Sequence, residues 1–324
     1  MAEGIGGKVK GGSNPLYSRS LLSIKELDRP KIDLILREAE AMHKIFETGR
    51  KLSLLKDKAM ATLFYEPSTR TKLTFQRAMI ALGGDEIGDP SMDTSSAAKG
   101  ENLADTARVV SSFSDVIVLR HYDNGAAEIA SRFSAVPVIN AGNGSGEHPT
   151  QALLDLLTIK NEKRRIEGMK VAIVGDLRYG RAVHSLAYTL GMFDNDLVFI
   201  APEELQLPKE ICDYLELNGR NVERTGSLDN ALDADVVYIP RIQKERFMDP
   251  KEYNRFLGMY RIDRNFMKRA NPEIIVMSHG PRLDEISPEI DDLNNMVFFK
   301  QVKYGVAVRM AVLNMILGKR MLSK

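Results

Sequence analysis

Short apolar runs of strand length alternate with longer segments of helical periodicity along almost the whole chain, and no other feature limits its folding so strongly. The runs are Ala59 to Phe64, Asp115 to Leu119, Val136 to Asn140, Lys170 to Val174, Leu197 to Ile200, Asp235 to Ile239 and Glu273 to Met277. Between them, Leu73 to Leu82, Leu103 to Phe113, Gln151 to Ile159, Ala182 to Leu190 and Pro208 to Leu217 carry apolar residues three and four apart, which lie on one helix face. Strand and helix repeating in this order predict parallel sheets with crossover helices, here as two doubly wound α/β units. At 324 residues the chain exceeds one ordinary core, which also argues for two domains.

The expected bridge is Gln151 to Lys163, a helix ending in the charged run Lys160-Asn-Glu-Lys-Arg-Arg165 before the next strand. This divides the chain into residues 1–150 and 151–302, leaving a last helix within 303–324. That helix, Val306 to Leu317, has an apolar stripe (Val308, Ala311, Val312, Met315, Ile316) that needs a partner, and packing back on the first domain is one way to supply it.

Composition excludes several classes. Lys plus Arg number 45 against 44 Asp plus Glu, so the overall basic excess of a nucleic-acid binder is missing and any anion recognition is local. A single cysteine, Cys212, excludes an intrachain disulfide and a cysteine-built zinc site, and fits a reducing, cytoplasmic setting. No apolar run approaches the roughly 20 residues of a membrane span. The glycine-rich stretch Met1 to Ser13 lacks the apolar core of a signal peptide and reads as a flexible lead-in.

The strongest local signal is Phe64-Tyr-Glu-Pro-Ser-Thr-Arg-Thr-Lys72, which closes a strand and opens a helix. The first N–H groups of a helix have no intrahelical partner and point outward at the positive end of its dipole. Ser68, Thr69 and Thr71 add hydroxyls there, and Arg70 adds a planar fork suited to phosphate oxygens. The turn reads equally well as a phosphate cradle or as a plain helix cap beside a solvated arginine.

Five further segments are candidates. Asn140-Ala-Gly-Asn-Gly-Ser-Gly-Glu-His-Pro-Thr-Gln151 is a second strand-to-helix turn, with His148 just ahead of a helix N-terminus whose dipole lowers a histidine's pKa. The polar loop Ser91 to Glu101, with Ser95 and Lys99, has the length to reach across a surface, or is solvated. Val174-Gly-Asp-Leu-Arg-Tyr-Gly-Arg181 lacks the glycine spacing of a dinucleotide fingerprint, and its arginines suit carboxylates better than a nicotinamide cofactor. Pro240-Arg-Ile-Gln-Lys-Glu-Arg246 and Ser278-His-Gly-Pro-Arg282 each follow a strand directly. Ligands of open α/β sheets sit beyond the carboxyl ends of strands, so all but the loop are expected at one ligand-binding edge.

In order and spacing these motifs resemble the catalytic chain of the aspartate carbamoyltransferase family, from Asn14-Pro-Leu-Tyr and Ser23-Ile-Lys-Glu-Leu to the last helix. The resemblance implies transfer of the carbamoyl group of carbamoyl phosphate to L-aspartate, an early step of pyrimidine biosynthesis, without cofactor or metal. It implies that Ser68, Thr69, Arg70 and Thr71 hold the phosphate, that Arg120 and His148 contact the carbamoyl carbonyl or the phosphate, and that Gln151 contacts the carbamoyl amide. Arg181, Arg241 and Gln243 match residues that hold aspartate's carboxylates. Ser95 and Lys99 match a loop inserted from a neighbouring subunit, which implies a homotrimer with shared sites, with regulatory subunits as possible partners. Residues 1–150 then bind carbamoyl phosphate, with the C-terminal helix (303–324) returning to them, and residues 151–302 bind aspartate.

One segment departs from the family. Its usual His-Pro-Leu-Pro-Arg is here Ser278-His-Gly-Pro-Arg282, in which Pro281 and Arg282 align. Backbone carbonyls at Gly280 and Pro281 are implied to meet substrate, the peptide before Pro281 is expected to be cis, and Gly280 without its neighbouring proline is expected to loosen the turn. Ornithine carbamoyltransferase is the nearest alternative, but that family has a cysteine in this turn and a cationic substrate that Lys99, Arg181 and Arg241 would repel. A non-catalytic scaffold of the same fold is the other.

Overall fold

The computed structural model describes residues 14–323 except 89–91, 93, 94, 245, 246 and 248, so the lead-in Met1 to Ser13 and parts of the Ser91 and Pro240 segments lie outside the described residues. Among the described residues two sheets form. The first holds β1 (Ala59–Phe64), β2 (Asp85–Gly88), β3 (Val116–His121) and β4 (Val138–Asn143), in the order β2-β1-β3-β4. The second holds β5 (Lys170–Val174), β6 (Asp196–Ile200), β7 (Val222–Thr225), β8 (Val236–Tyr238) and β9 (Ile275–Met277), in the order β7-β6-β5-β8-β9. Every paired ladder in both sheets is parallel. The expected α/β class is therefore the observed one.

Central β1, β3 and β5 are covered on both faces and read as continuous apolar runs, as buried parallel strands do. The edge strands β2 and β7 have no fully buried residue, so their sequences carry no such run. In each sheet the strand order turns back beside a central strand, at β1/β3 and at β5/β8, and the crevice beyond these carboxyl ends is where ligands of such sheets bind.

Helix α1 (Arg29–Glu47) starts at Asp28, whose side chain accepts from the Lys31 amide at 2.9 Å, and buries Ile32, Ile35, Leu36, Ala39 and Met42 as one stripe. The other long crossovers are α2 (Thr69–Ala81), α3 (Leu103–Ser111), α4 (Ala126–Phe133), α5 (Pro149–Lys163), α6 (Arg181–Leu190) and α7 (Lys209–Leu217), followed by the short α8 (Pro250–Asn254) and α9 (Arg264–Arg269). Helix α5 is buried from Pro149 to Ile159 and packs on α6 and on the last helix, which joins the two units through a shared apolar core.

That last helix, α10, runs Phe298–Leu317, starting earlier than the periodicity predicts because the segment ahead of Val306 continues as helix rather than loop. It packs on α1, α2 and α5, the return to the first unit that the sequence led us to expect. A buried carboxylate fastens it: Glu38 accepts from Asn314 Nδ2 at 2.9 Å and from the Leu322 and Ser323 amides at 2.8 and 2.7 Å.

Candidate active site

Five turns at strand ends meet around one cavity of about 600 Å³, between the two sheets. The first is the turn after β1. Ser68 occupies the N-cap of α2, yet its side chain makes no capping bond, which leaves the hydroxyl and the first helical amides turned toward the cavity. Thr74 ties this turn down by donating to the Arg70 carbonyl at 2.5 Å, while Arg70 itself lines the cavity. Burial, followed by the nearby charge of Arg241, lowers the Arg70 pKa from its ordinary value.

Arg120, near the end of β3, reaches in from the sheet edge, with Nη1 donating to the Ala141 carbonyl at 3.3 Å and Nε 3.3 Å from Glu66 Oε2. His148 is the N-cap of α5, its amide donating to Ser185 Oγ at 2.9 Å and its Nε2 3.5 Å from Thr71 Oγ1. Its pKa lies well below the ordinary 6.5. Burial is the first cause, rather than the helix dipole expected from the sequence, and the charges of Arg120, Arg309 and Arg181 follow. Gln151, one turn along α5, also lines the cavity and donates to Asp155 Oδ1 at 2.9 Å.

The second unit brings the remaining walls. Arg181 begins α6 and is buried, donating to the Gly144 carbonyl at 3.0 Å and to Glu66 at 2.5 Å. Arg178, three residues earlier, turns away and donates to the Glu204 carbonyl at 3.2 Å. After β8, Arg241 and Gln243 line the cavity, with Gln243 Nε2 held by the Tyr179 carbonyl at 3.3 Å. After β9 come Ser278, His279, Gly280 and Pro281, with a cis peptide between Gly280 and Pro281.

This last turn is pinned, contrary to the expected looseness. The Ser278 amide donates to Gln301 Oε1 at 3.2 Å and the Gly280 amide to Ser278 Oγ at 3.1 Å. Gly280 has φ of 62°, and a Cβ there would stand 3.0 Å from both the Arg70 guanidinium and Phe298, so no other residue fits without displacing them. Arg282 leaves the cavity and pairs with Asp291.

The loop residues behave differently. Ser95 bonds within its own 3₁₀ turn, accepting from the Ala97 amide at 3.2 Å, and Lys99 is exposed; neither lines the cavity of this chain.

Several residues enter the site without having been singled out from the sequence. Five arginines line the cavity, Arg70, Arg120, Arg181, Arg241 and Arg309, against the one carboxylate Glu66, among the described residues. Arg309 on α10 is buried over the Phe75 ring at 5.0 Å, and burial lowers its pKa to about 9. Asp155 lies behind the cavity, its Oδ1 accepting from Gln151 and, at 2.6 Å, from Gln301, and burial raises its pKa to about 7. Each is a charge inside a buried stretch of its helix, Asp155 between Leu154 and Leu156 and Arg309 between Val308 and Met310, a detectable signal because such a charge needs a buried partner. The whole is a deep, cationic pocket with neutral imidazoles, suited to an anion bearing several charges and to a developing oxyanion.

Comparison with known proteins agrees with this geometry. Residues 19–161 match the carbamoyl-P binding domain of aspartate/ornithine carbamoyltransferase, and residues 167–316 match its Asp/Orn binding domain. The aspartate carbamoyltransferase catalytic subunit of Methanocaldococcus jannaschii is 50% identical over 297 residues, 91% of this chain and 96% of its own. That of Thermoplasma acidophilum is 47% identical over 303 residues, 94% of this chain and 99% of its own. The crystal structure of aspartate transcarbamoylase from Trypanosoma cruzi with carbamoyl phosphate and aspartate has a TM-score of 0.90 at 39% identity, over 94% of this chain and 98% of that one. With both halves of the chain matched and the fold shared, this protein belongs to the aspartate/ornithine carbamoyltransferase family.

Proposed function

We propose that this protein is an aspartate carbamoyltransferase: it transfers the carbamoyl group of carbamoyl phosphate to the amine of L-aspartate, giving N-carbamoyl-L-aspartate and phosphate in pyrimidine biosynthesis. The observation that carries this is the arginine arrangement. Arg70 and Arg120 come from the first unit and Arg181 and Arg241 from the second, all on one cavity. One pair suits a phosphate and the other a dicarboxylate, with the reacting carbon between them.

In this reading Ser68, Thr69, Arg70 and Thr71 bind the phosphate, and Arg120, His148 and Gln151 the carbamoyl group, with carbonyls of the Gly280–Pro281 turn on its amide. Arg181, Arg241 and Gln243 hold aspartate, assisted by Lys99. The amine attacks the carbamoyl carbon while Arg70, Thr71, Arg120 and His148 stabilise the growing oxyanion, and phosphate leaves with an amine proton. A neutral His148 donates a hydrogen bond without adding repulsion among the arginines. Holding both substrates in line is worth several kcal/mol.

Residues 1–150 with 303–324 are assigned to carbamoyl phosphate and residues 151–302 to aspartate. A homotrimer, in which Ser95 and Lys99 of a neighbouring copy complete each site, and a cytoplasmic setting belong to the same proposal. It is supported by the exposure of Lys99 away from its own cavity. The reading is tested by a colorimetric assay for carbamoyl-amino-acid formation with aspartate and with ornithine. Product from aspartate alone is expected. Product from ornithine alone would move the chain to the ornithine enzyme, and none from either would leave a scaffold.

A further inference from the structure

The turn after β9 carries a side chain that this mechanism does not use. His279 lines the cavity and is half-buried there. Its Nδ1 is 3.1 Å from the hydroxyl of Tyr238, and the two rings stack with centroids 6.0 Å apart at 21°. Tyr238 is fully buried on β8, which fixes the imidazole's direction. Behind it stands the Asp155 carboxyl, next to the same hydroxyl and held by Gln151 and Gln301. Carboxyl, phenol and imidazole thus run in series from core to cavity. With Nδ1 engaged by Tyr238, Nε2 is the ring nitrogen left for the cavity.

The charged and titratable groups around this ring are Arg70 on α2, Arg120 on β3, Arg181 on α6, Arg241 after β8, His148 on α5, and Tyr238 with Asp155 behind it. Burial and then the four guanidinium charges depress the His279 pKa to about 3. These are the same arginines assigned to the phosphate and the dicarboxylate. Once those anions are bound, the guanidinium share of the suppression is offset while burial remains, and the ring moves part of the way back toward its ordinary value of roughly 6.5. Basicity at His279 therefore rises on substrate binding.

We propose that Nε2 of His279 accepts a proton from the ammonium group of bound aspartate and so produces the attacking amine. This rests on the carbamoyl-transfer reading. Aspartate's ammonium nitrogen has no lone pair until one N–H bond breaks; its proton goes to Nε2 and the electron pair stays on nitrogen. The amine then forms the N–C bond, and the carbamoyl C–O bond breaks with its pair leaving on phosphate. A second N–H proton leaves with the phosphate. The imidazolium returns its proton to water once the products have gone and the arginine field is restored. The two protons lost by the nitrogen thereby have two separate acceptors.

The test compares wild type with His279→Gln, whose amide keeps a hydrogen bond to Tyr238 within reach but takes no proton. Steady-state kinetics are run with both substrates from pH 6.5 to 9.5, and inorganic phosphate binding is measured by calorimetry. Loss of a positioned base costs about 100-fold or more in kcat near pH 7. The deficit is expected to shrink steadily toward pH 9.5, where aspartate in solution supplies its own amine, with phosphate affinity unchanged. A near-normal kcat at pH 7, or a deficit that is the same at every pH, overturns the proposal. If His279→Gln does not bind phosphate, Tyr238→Phe decides: a loss that shrinks with pH supports the relay and an unchanged kcat overturns it. Wild type that makes no carbamoyl-aspartate at any pH instead defeats the underlying function.

Discussion

Glu66 Oε2 accepts a hydrogen bond from Arg181 Nη2 at 2.5 Å, which holds the turn after β1 against the first residue of α6 in the other unit. The same oxygen lies 3.3 Å from Arg120 Nε. One carboxylate thus offsets two buried guanidiniums that are assigned to the two substrates. On that assignment, anionic substrates and Glu66 compete for these arginines, and binding is expected to rearrange this contact.

Glu66→Gln leaves Arg120 and Arg181 short of a counter-charge. A hydrogen bond to a charged group contributes about 1.5–3 kcal/mol, so the substrate-free variant is expected to melt several degrees lower. Phosphate, meeting less competition, is expected to raise its Tm by more than it raises that of wild type. Scanning fluorimetry with and without phosphate checks both; an equal phosphate shift in the two proteins would remove Glu66 from the argument.

Arg70→Ala removes the guanidinium nearest the phosphate turn. Losing one oxyanion donor costs about 3–4 kcal/mol in the transition state, so kcat is expected to fall at least about a hundredfold. Because Arg70 is repelled by Arg241, the fold is expected to survive. Steady-state kinetics beside a melting curve decide, and a near-normal kcat sinks the assignment.

If neighbouring copies share sites, Arg70→Ala and Lys99→Ala damage different halves of one site. Each variant alone is expected to be nearly inactive. Unfolding-free subunit exchange of the two is expected to regain activity, because some mixed sites receive an intact Arg70 from one copy and an intact Lys99 from another. A mixture that stays as inactive as its components would confine the site to one chain.

Asp155 gives the protein a pH signature. Burial raises its folded pKa from 3.8 to about 7, so between those values the folded state holds a proton that the unfolded chain has lost. Its contribution is greatest below about pH 4 and is lost as pH rises toward 7, at about 1.4 kcal/mol per pH unit. His148 and His279 act oppositely: their folded pKa values are depressed, so they lose stability as pH falls below 6.5. Asp155→Asn abolishes only the first effect. Urea unfolding from pH 4 to 7 is expected to show the variant gaining on wild type as pH rises; parallel curves would mean that Asp155 does not bind a proton on folding.

Much of the fold was legible because its causes are local. The apolar runs of β1, β3 and β5 and the three-to-four spacing of α2, α5 and α6 come from neighbours along the chain; α1 was not among the helices expected, although Ile32, Ile35, Leu36, Ala39 and Met42 carry the same local spacing. Strands β2 and β7 were not, since edge strands with no buried residue need no apolar run. The turn after β1 was visible as residue types, but its sequence did not say that Ser68 makes no capping bond or that the turn lines a cavity shared with the second unit.

The sequence alone determined the alternation of strand and helix and the chemistry stored at each turn, because both depend on residues a few positions apart. Only tertiary structure decided that Arg181 enters the cavity while Arg178 turns out, and that Asp155, Tyr238 and His279, from α5, β8 and the turn after β9, stand in series. Those relations depend on the order β7-β6-β5-β8-β9 and on α10 returning to α1, which bring distant segments into contact through packing that no local spacing encodes.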